Sequence, residues 1–117
     1  MIVNTQLTTS TASLFTAPGT PGDMNTQSAI TTMIFCNTLA PNASDETVNA
    51  VTIDVFAVAY GASPVTLTNK IISSLTIPAG ETLFFDTERI VLAAGDSIQA
   101  SCSQNSAVVA TVSVLPV

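Results

Sequence analysis

The 117-residue chain has no histidine and no tryptophan, and its only basic residues are Lys70 and Arg89. Lacking His, it lacks the commonest general base and the commonest metal ligand. With Tyr60 as its single tyrosine, it has no aromatic platform for carbohydrate. Two bases against eight acids give a formal net charge of −6. That excludes the usual nucleic-acid binders, whose affinity comes from basic clusters. No C-x-x-C pair exists, which argues against a zinc site. The glycines are isolated, so no phosphate-binding loop is present. Long apolar runs are missing as well. The stretch from Val48 to Tyr60 is interrupted by Asn49, Thr52 and Asp54, whereas a membrane-spanning helix needs about 20 apolar residues. The mean hydropathy of +0.54 therefore does not imply a membrane protein. Met1-Ile2-Val3-Asn4-Thr5-Gln6 has neither the basic nor the apolar region of a signal peptide. The expectation is synthesis and retention in a cytoplasm, which removes any weight from the Asn42-Ala43-Ser44 glycosylation sequon.

Charged residues make up only 9% of the chain, against roughly 25% in an average domain. Ser and Thr take their place. With 47% hydrophobic residues the chain is too apolar for disorder. Its length suits one domain able to bury a core without metal or disulfide help. A surface so poor in charge is either a Ser/Thr-rich soluble surface or one largely covered by partners. Cys36 and Cys102 both sit in apolar strand-like runs. They are expected to be free core thiols in a reducing cytoplasm, a cross-sheet disulfide formed after release being the alternative.

The pattern is that of short strands separated by turn signals, and it predicts an all-β, single antiparallel β-sandwich of jelly-roll or Ig-like topology with seven or eight strands. Residues 1–16 are expected to form an N-terminal arm or edge strand, and 17–117 the sandwich domain. An arm would be removable, deletion of residues 2–12 leaving the fold intact. The two Pro-Gly steps in Ala17-Pro18-Gly19-Thr20-Pro21-Gly22-Asp23 make a loop. Strands are predicted over about 28–37, 48–60, 65–77, 97–103 and 107–115. In 48–60, Val51, Ile53, Val55, Ala57 and Ala59 share one face and Thr52, Asp54 and Tyr60 the other. Phe56 and Val58 fall on the second face too, so part of it should be covered. Val, Ile and Thr dominate these runs, which favours strand over helix.

The most regular feature is a repeated turn. Ile77-Pro78-Ala79-Gly80-Glu81-Thr82-Leu83 is echoed by Leu92-Ala93-Ala94-Gly95-Asp96-Ser97-Ile98. Gly80 and Gly95 occupy the place where a type II turn needs positive φ. The acid and hydroxyl that follow can bond backbone amides. By the same reasoning Gly95 should need positive φ and Ser106 should not.

A pair of carboxylates would suffice for a glycosidase, and the candidates are Glu81, Asp86, Glu88 and Asp96. Glu81 and Asp96 are accounted for by the turns, and Asp86 and Glu88 lie beside Arg89 in an exposed connection. Asp54 stands alone in the strongest strand, with Lys70 as its partner if the two strands are neighbours. No catalytic, cofactor-binding or metal-binding residue is assigned, and no cofactor is expected.

The runs Ile77 to Phe85 and Ile90 to Ile98 resemble small virion proteins of tailed bacteriophages, in which an IPAGET turn precedes an LxAGDSI turn and a final strand of small and aliphatic residues. Leu14-Phe15-Thr16-Ala17-Pro18 and Ile34-Phe35-Cys36-Asn37-Thr38 resemble the first half of that pattern, so the likeness covers most of residues 14–115. The resemblance implies a β-sandwich and a non-enzymatic structural protein of the virion. A capsid decoration or cement protein stabilising the head surface is the first expectation. A neck/tail adaptor or fibre-associated module is the second, and a soluble lectin-like sandwich the third. The partners it implies are the major capsid protein, then neck or tail proteins, and further copies of the chain itself as a homo-oligomer. No nucleic acid or membrane is expected among them.

Overall fold

A computed structural model describes residues 1–62, 68–86 and 89–117. Among these residues the fold is all-β, with nine strands in two antiparallel sheets. They are β1 (Ile2–Gln6), β2 (Ala12–Thr16), β3 (Gln27–Asn37), β4 (Val51–Val58), β5 (Lys70–Ile77), β6 (Thr82–Phe85), β7 (Ile90–Ala93), β8 (Ser97–Cys102) and β9 (Val108–Pro116). One sheet runs β1-β9-β3-β6, with β7 also on β3, and the other runs β2-β8-β4-β5.

This connectivity is a rolled ribbon. β1 pairs with β9, β2 with β8, β3 with β6 and β7, and β4 with β5. The ribbon is then wound so that β9 also meets β3 and β8 also meets β4. That is the jelly-roll arrangement, two sheets built from interlocked Greek keys, rather than the Ig-like alternative. β6 and β7 follow each other along β3 as one interrupted strand. Ile30 and Met33, three positions apart, face Ile90 and Phe85, five apart. The chain from Phe85 to Ile90 is thus two residues longer than the stretch of β3 that it spans. Counted this way the ribbon has the eight strands of a jelly roll.

Alternation decides what is inside. Met33, Phe35, Val108, Ala110 and Val112 point inward from one sheet, and Ile53, Val55, Ile98 and Ala100 from the other. Each large aliphatic or aromatic side chain so buried stabilises the fold by about 1.5–3 kcal/mol. β4 matches its predicted alternation at Val51, Ile53 and Val55, but starts three residues later than expected. Before it, Asn49 adopts φ 64°, and Asp45 accepts the Thr47 amide and hydroxyl, so 45–50 is a turn. Phe56 is covered although it belongs to the outer face. Bulges against β5 shift the register on both sides of Val55, and the Lys70 ammonium lies 5.5 Å from the Phe56 ring centroid. The predicted start of the next strand, Val65 to Leu67, and part of the turn before it lie outside the described residues. Lys70 opens β5 rather than standing near its middle.

The N-terminal segment is not a detachable arm. Ile2–Gln6 and Ala12–Thr16 are edge strands of the two different sheets. Leu7, Leu14 and Phe15 between and within them belong to the core. The edge-strand alternative is the one the structure shows, and removing residues 2–12 would take all of β1, Leu7 and the first residue of β2.

The repeated turn crosses between sheets at both occurrences, from β5 to β6 and from β7 to β8. Gly80 and Gly95 have φ 75° and 92°, as type II turns need. Both copies dock by the same backbone exchange. The Gly80 amide donates to the Asn37 carbonyl, and the Asn37 amide donates to Glu81; the Gly95 amide donates to Ala17, and the Ala17 amide to Asp96. A Cβ at Gly95 would come within 2.9 Å of the Tyr60 ring, so the position excludes a side chain sterically as well as conformationally. Ser106 departs from expectation, with φ 62°. Left-handed backbone costs an L-residue about 1–2 kcal/mol. Ser106→Gly is accordingly expected to raise the melting temperature, with a gain of up to about 1 kcal/mol after the glycine's own entropy cost. A lowered melting point in a thermal scan would contradict that account.

Candidate functional surface

The described acids are largely occupied in holding the backbone. Asp96 accepts the amides of Tyr60 at 2.8 Å and Ala93 at 3.0 Å, closing the second sheet-crossing turn as its position suggested. Asp23 accepts the Asn25 amide. Asp45, fully exposed, is held below the usual carboxylate range by the Thr47 hydroxyl and then by the Thr47 amide. Glu81 contributes its backbone to the first turn. Asp86 and Arg89 lie between β6 and β7, and Glu88 lies outside the described residues. Among the described residues no three of His, Cys, Asp and Glu are grouped so as to hold a metal ion.

Asp54 and Lys70 do come together, at 3.5 Å across β4 and β5. Asp54 also accepts the Ser74 amide at 2.8 Å, which anchors the bulge where Ser74 has φ 49°. Both side chains retain solvent contact, Asp54 at 31% and Lys70 at 22% exposure. The ion pair therefore contributes only about 0–1 kcal/mol. Its larger meaning lies in its isolation: Asp54 and Lys70 are the only charged residues in any of the nine strands.

Cys36 and Cys102 are both free. Cys102 is in the core, its Sγ 2.9 Å from the Gln104 carbonyl, as expected. Cys36 is only half-buried. It alternates with the inward Phe35 and Asn37 and so lies on the outer face of its sheet. The two thiols face opposite sides of the β1-β9-β3-β6 sheet, which rules out a bond between them within this fold.

The polar residue that sequence reasoning overlooked is Asn37, wholly buried at the end of β3. Its Nδ2 donates to the carbonyls of Asn49 and Ile77, both at 2.9 Å. Its Oδ1 accepts the Leu39 amide at 3.0 Å. Asn37 thereby ties the turn before β4 to the end of β5.

What remains is surface. The sheet β1-β9-β3-β6/β7 contains no charged residue in any strand. Registers place Asn4, Thr111, Ile34 and Phe84 in one row across its outer face, and Leu115, Ala29 and Val91 in another. Phe84 is 62% exposed, and Val91, Leu115 and Ile2 are also open to solvent. Scattered apolar side chains are ordinary on a surface, but a contiguous uncharged face carrying several of them marks an interaction site. A separate groove of about 230 Å³, lined by Met1, Phe15, Pro18, Ser28, Val114 and Pro116, offers no acid or base beside its single hydroxyl. No family model, curated protein or solved structure matches the chain.

Proposed function

We propose that this chain is a non-enzymatic structural protein of a phage virion, a decoration or cement protein that lies on the capsid and stabilises it. The carrying observation is the β1-β9-β3-β6/β7 sheet, whose strands hold no charged residue and whose outer face exposes Phe84, Val91, Leu115 and Ile2. Depletion of charge at the centre with an aromatic anchor is the composition of a protein interface core. Jelly rolls recur in capsid and lectin domains. That is support by analogy of fold, and the surface rather than the topology is what favours a lattice partner. Attachment in many copies lets a modest interface hold, because neighbours raise one another's effective concentration.

The reading is tested by the copy number of this chain in purified particles relative to the major capsid protein. A ratio near one, or a simple fraction of it, is expected. A handful of copies per particle would move the protein to the neck or tail, and its absence would return it to a free binding module. Phe84→Asp places a charge in the face at a solvent-exposed position, so folding should change by no more than about 0.5 kcal/mol. The variant should fold normally and be lost from particles. Undiminished incorporation would mean that another surface does the docking.

A further inference from the structure

All charged side chains of the protein fall between Asp23 and Asp96. The segments on either side, 1–22 and 97–117, supply β1, β2, β8 and β9. Topology brings these four strands to one flank, since β1-β9 ends one sheet and β2-β8 ends the other. The opposite edges carry the Asp54–Lys70 pair on β4 and β5, and Asp86 and Arg89 between β6 and β7. With a formal charge of −6 per chain, two copies repel least when they meet flank to flank on this neutral side.

The four sheet edges differ in how they are guarded. β2 is bulged between Ser13 and Phe15, β5 is bulged against β4 and opens on Lys70, and the fourth edge is divided into the short strands β6 and β7, with Asp86 and Arg89 beside their ends. Bulges and charges of this kind keep an edge from pairing with another chain. β1 has neither. Its register with β9 is unbroken from Ile2 to Gln6, and its sequence has no proline and no charge. The direction of its free backbone groups follows from its ladder. The Leu7 amide donates to Val108 and the Val114 amide to Met1, so odd-numbered residues bond to β9. In an antiparallel pair the residues between them point the other way. The N–H and C=O groups of Ile2, Asn4 and Gln6 therefore face outward along an open edge.

We infer that the protein forms a symmetric homodimer in which β1 pairs antiparallel with β1 of a second copy, about a two-fold axis at Asn4. That register sets Ile2 against Gln6 of the second copy and Asn4 against Asn4 of the second copy. All the outward groups of both strands are then used, and the two sheets join into one. A two-fold contact of this kind must be self-complementary. β1 meets the condition: Val3 falls opposite Thr5, both β-branched, and no like charges are opposed. The inference uses the free backbone edge of β1, whose Ile2 and Asn4 side chains also border the docking face, and it does not require the virion reading.

The test is the mass of the purified full chain at high micromolar concentration, by light scattering after size exclusion, together with amide exchange. The wild type should have twice the 12.0 kDa chain mass, with slowed exchange at Ile2, Asn4 and Gln6. Asn4→Pro removes an outward N–H that makes no bond to β9, so the strand should stay in its sheet while the dimer is lost. Asn4→Lys sets two like charges opposite each other at the axis and should halve the mass in the same way, which covers the case in which the proline variant fails to fold. A monomeric wild type would overturn the inference. So would dimers that persist in Asn4→Lys with fast exchange along β1.

Discussion

Deletion of residues 2–12 should abolish cooperative folding, leaving no sigmoidal thermal transition by circular dichroism. The deleted stretch contains the whole of β1, the start of β2 and Leu7, which is 1% exposed. Truncating a core leucine to alanine alone costs about 2–5 kcal/mol. Removing β1 also turns β9 into an edge. The backbone groups of Ala110 and Val112, bonded to Thr5 and Val3, would be stripped of partners, and inward Val108 and Val112 would lose their cover. On the other sheet the Cys102 amide loses the Thr8 carbonyl, and the Ser106 amide loses that of Leu7. The sum is comparable with the whole stability of a domain, about 5–15 kcal/mol. Leu7→Ala provides the graded form of the same test, a loss of about 2–5 kcal/mol in denaturant titration. A truncated chain that still melted cooperatively would mean that the sandwich closes without its first strand.

The reason this segment reads as either an arm or an edge strand lies in its side chains. In β4 the alternation of Val51, Ile53 and Val55 with polar residues declares a strand directly. In β2 the bulge buries Leu14 and Phe15 consecutively, which breaks the period of two that identifies a half-buried strand. β1 is an edge, so even its inward Val3 and Thr5 are only half-covered, and selection for large apolar residues is weak there. The sheet-crossing turns were legible because glycine at positive φ leaves a residue-type signature. Their docking partners were not. Asn37 and Ala17 bond through backbone atoms that any residue possesses. The neutral flank was half-written in the sequence, as two charge-free terminal stretches. Only the pairing of β1 with β9 and β2 with β8 shows that stretches from opposite ends of the chain form one surface.

Asn37→Ala should destabilise the fold by about 3–5 kcal/mol, the largest effect expected of any single polar side chain here. Asn37 is completely buried, and so is its bond to the Ile77 carbonyl, whereas those to Asn49 and Leu39 are part-buried. The Asn49 and Ile77 carbonyls would each lose a donor and the Leu39 amide its acceptor. Each unsatisfied buried group costs about 1–3 kcal/mol. The loss falls where three connections meet, because the Asn37 backbone also holds the Gly80 turn. Asn37→Asp separates the donor from the acceptor roles. An ionised aspartate keeps an acceptor for Leu39 but points a second oxygen at two carbonyls, so burial and repulsion both favour its protonated form. A carboxyl whose pKa is raised in the folded state stabilises that state when protonated, and the stability is lost as pH rises through the raised value. The aspartate variant should therefore be closer to wild type in mildly acidic buffer and fall away toward neutrality, whereas Asn37→Ala should show no such pH dependence relative to wild type. Urea midpoints of the three proteins at the two pH values measure both effects. A pH-independent aspartate variant with near-native stability would show that the amide donors at Asn37 are dispensable and that the turn backbone alone holds β3 to β5.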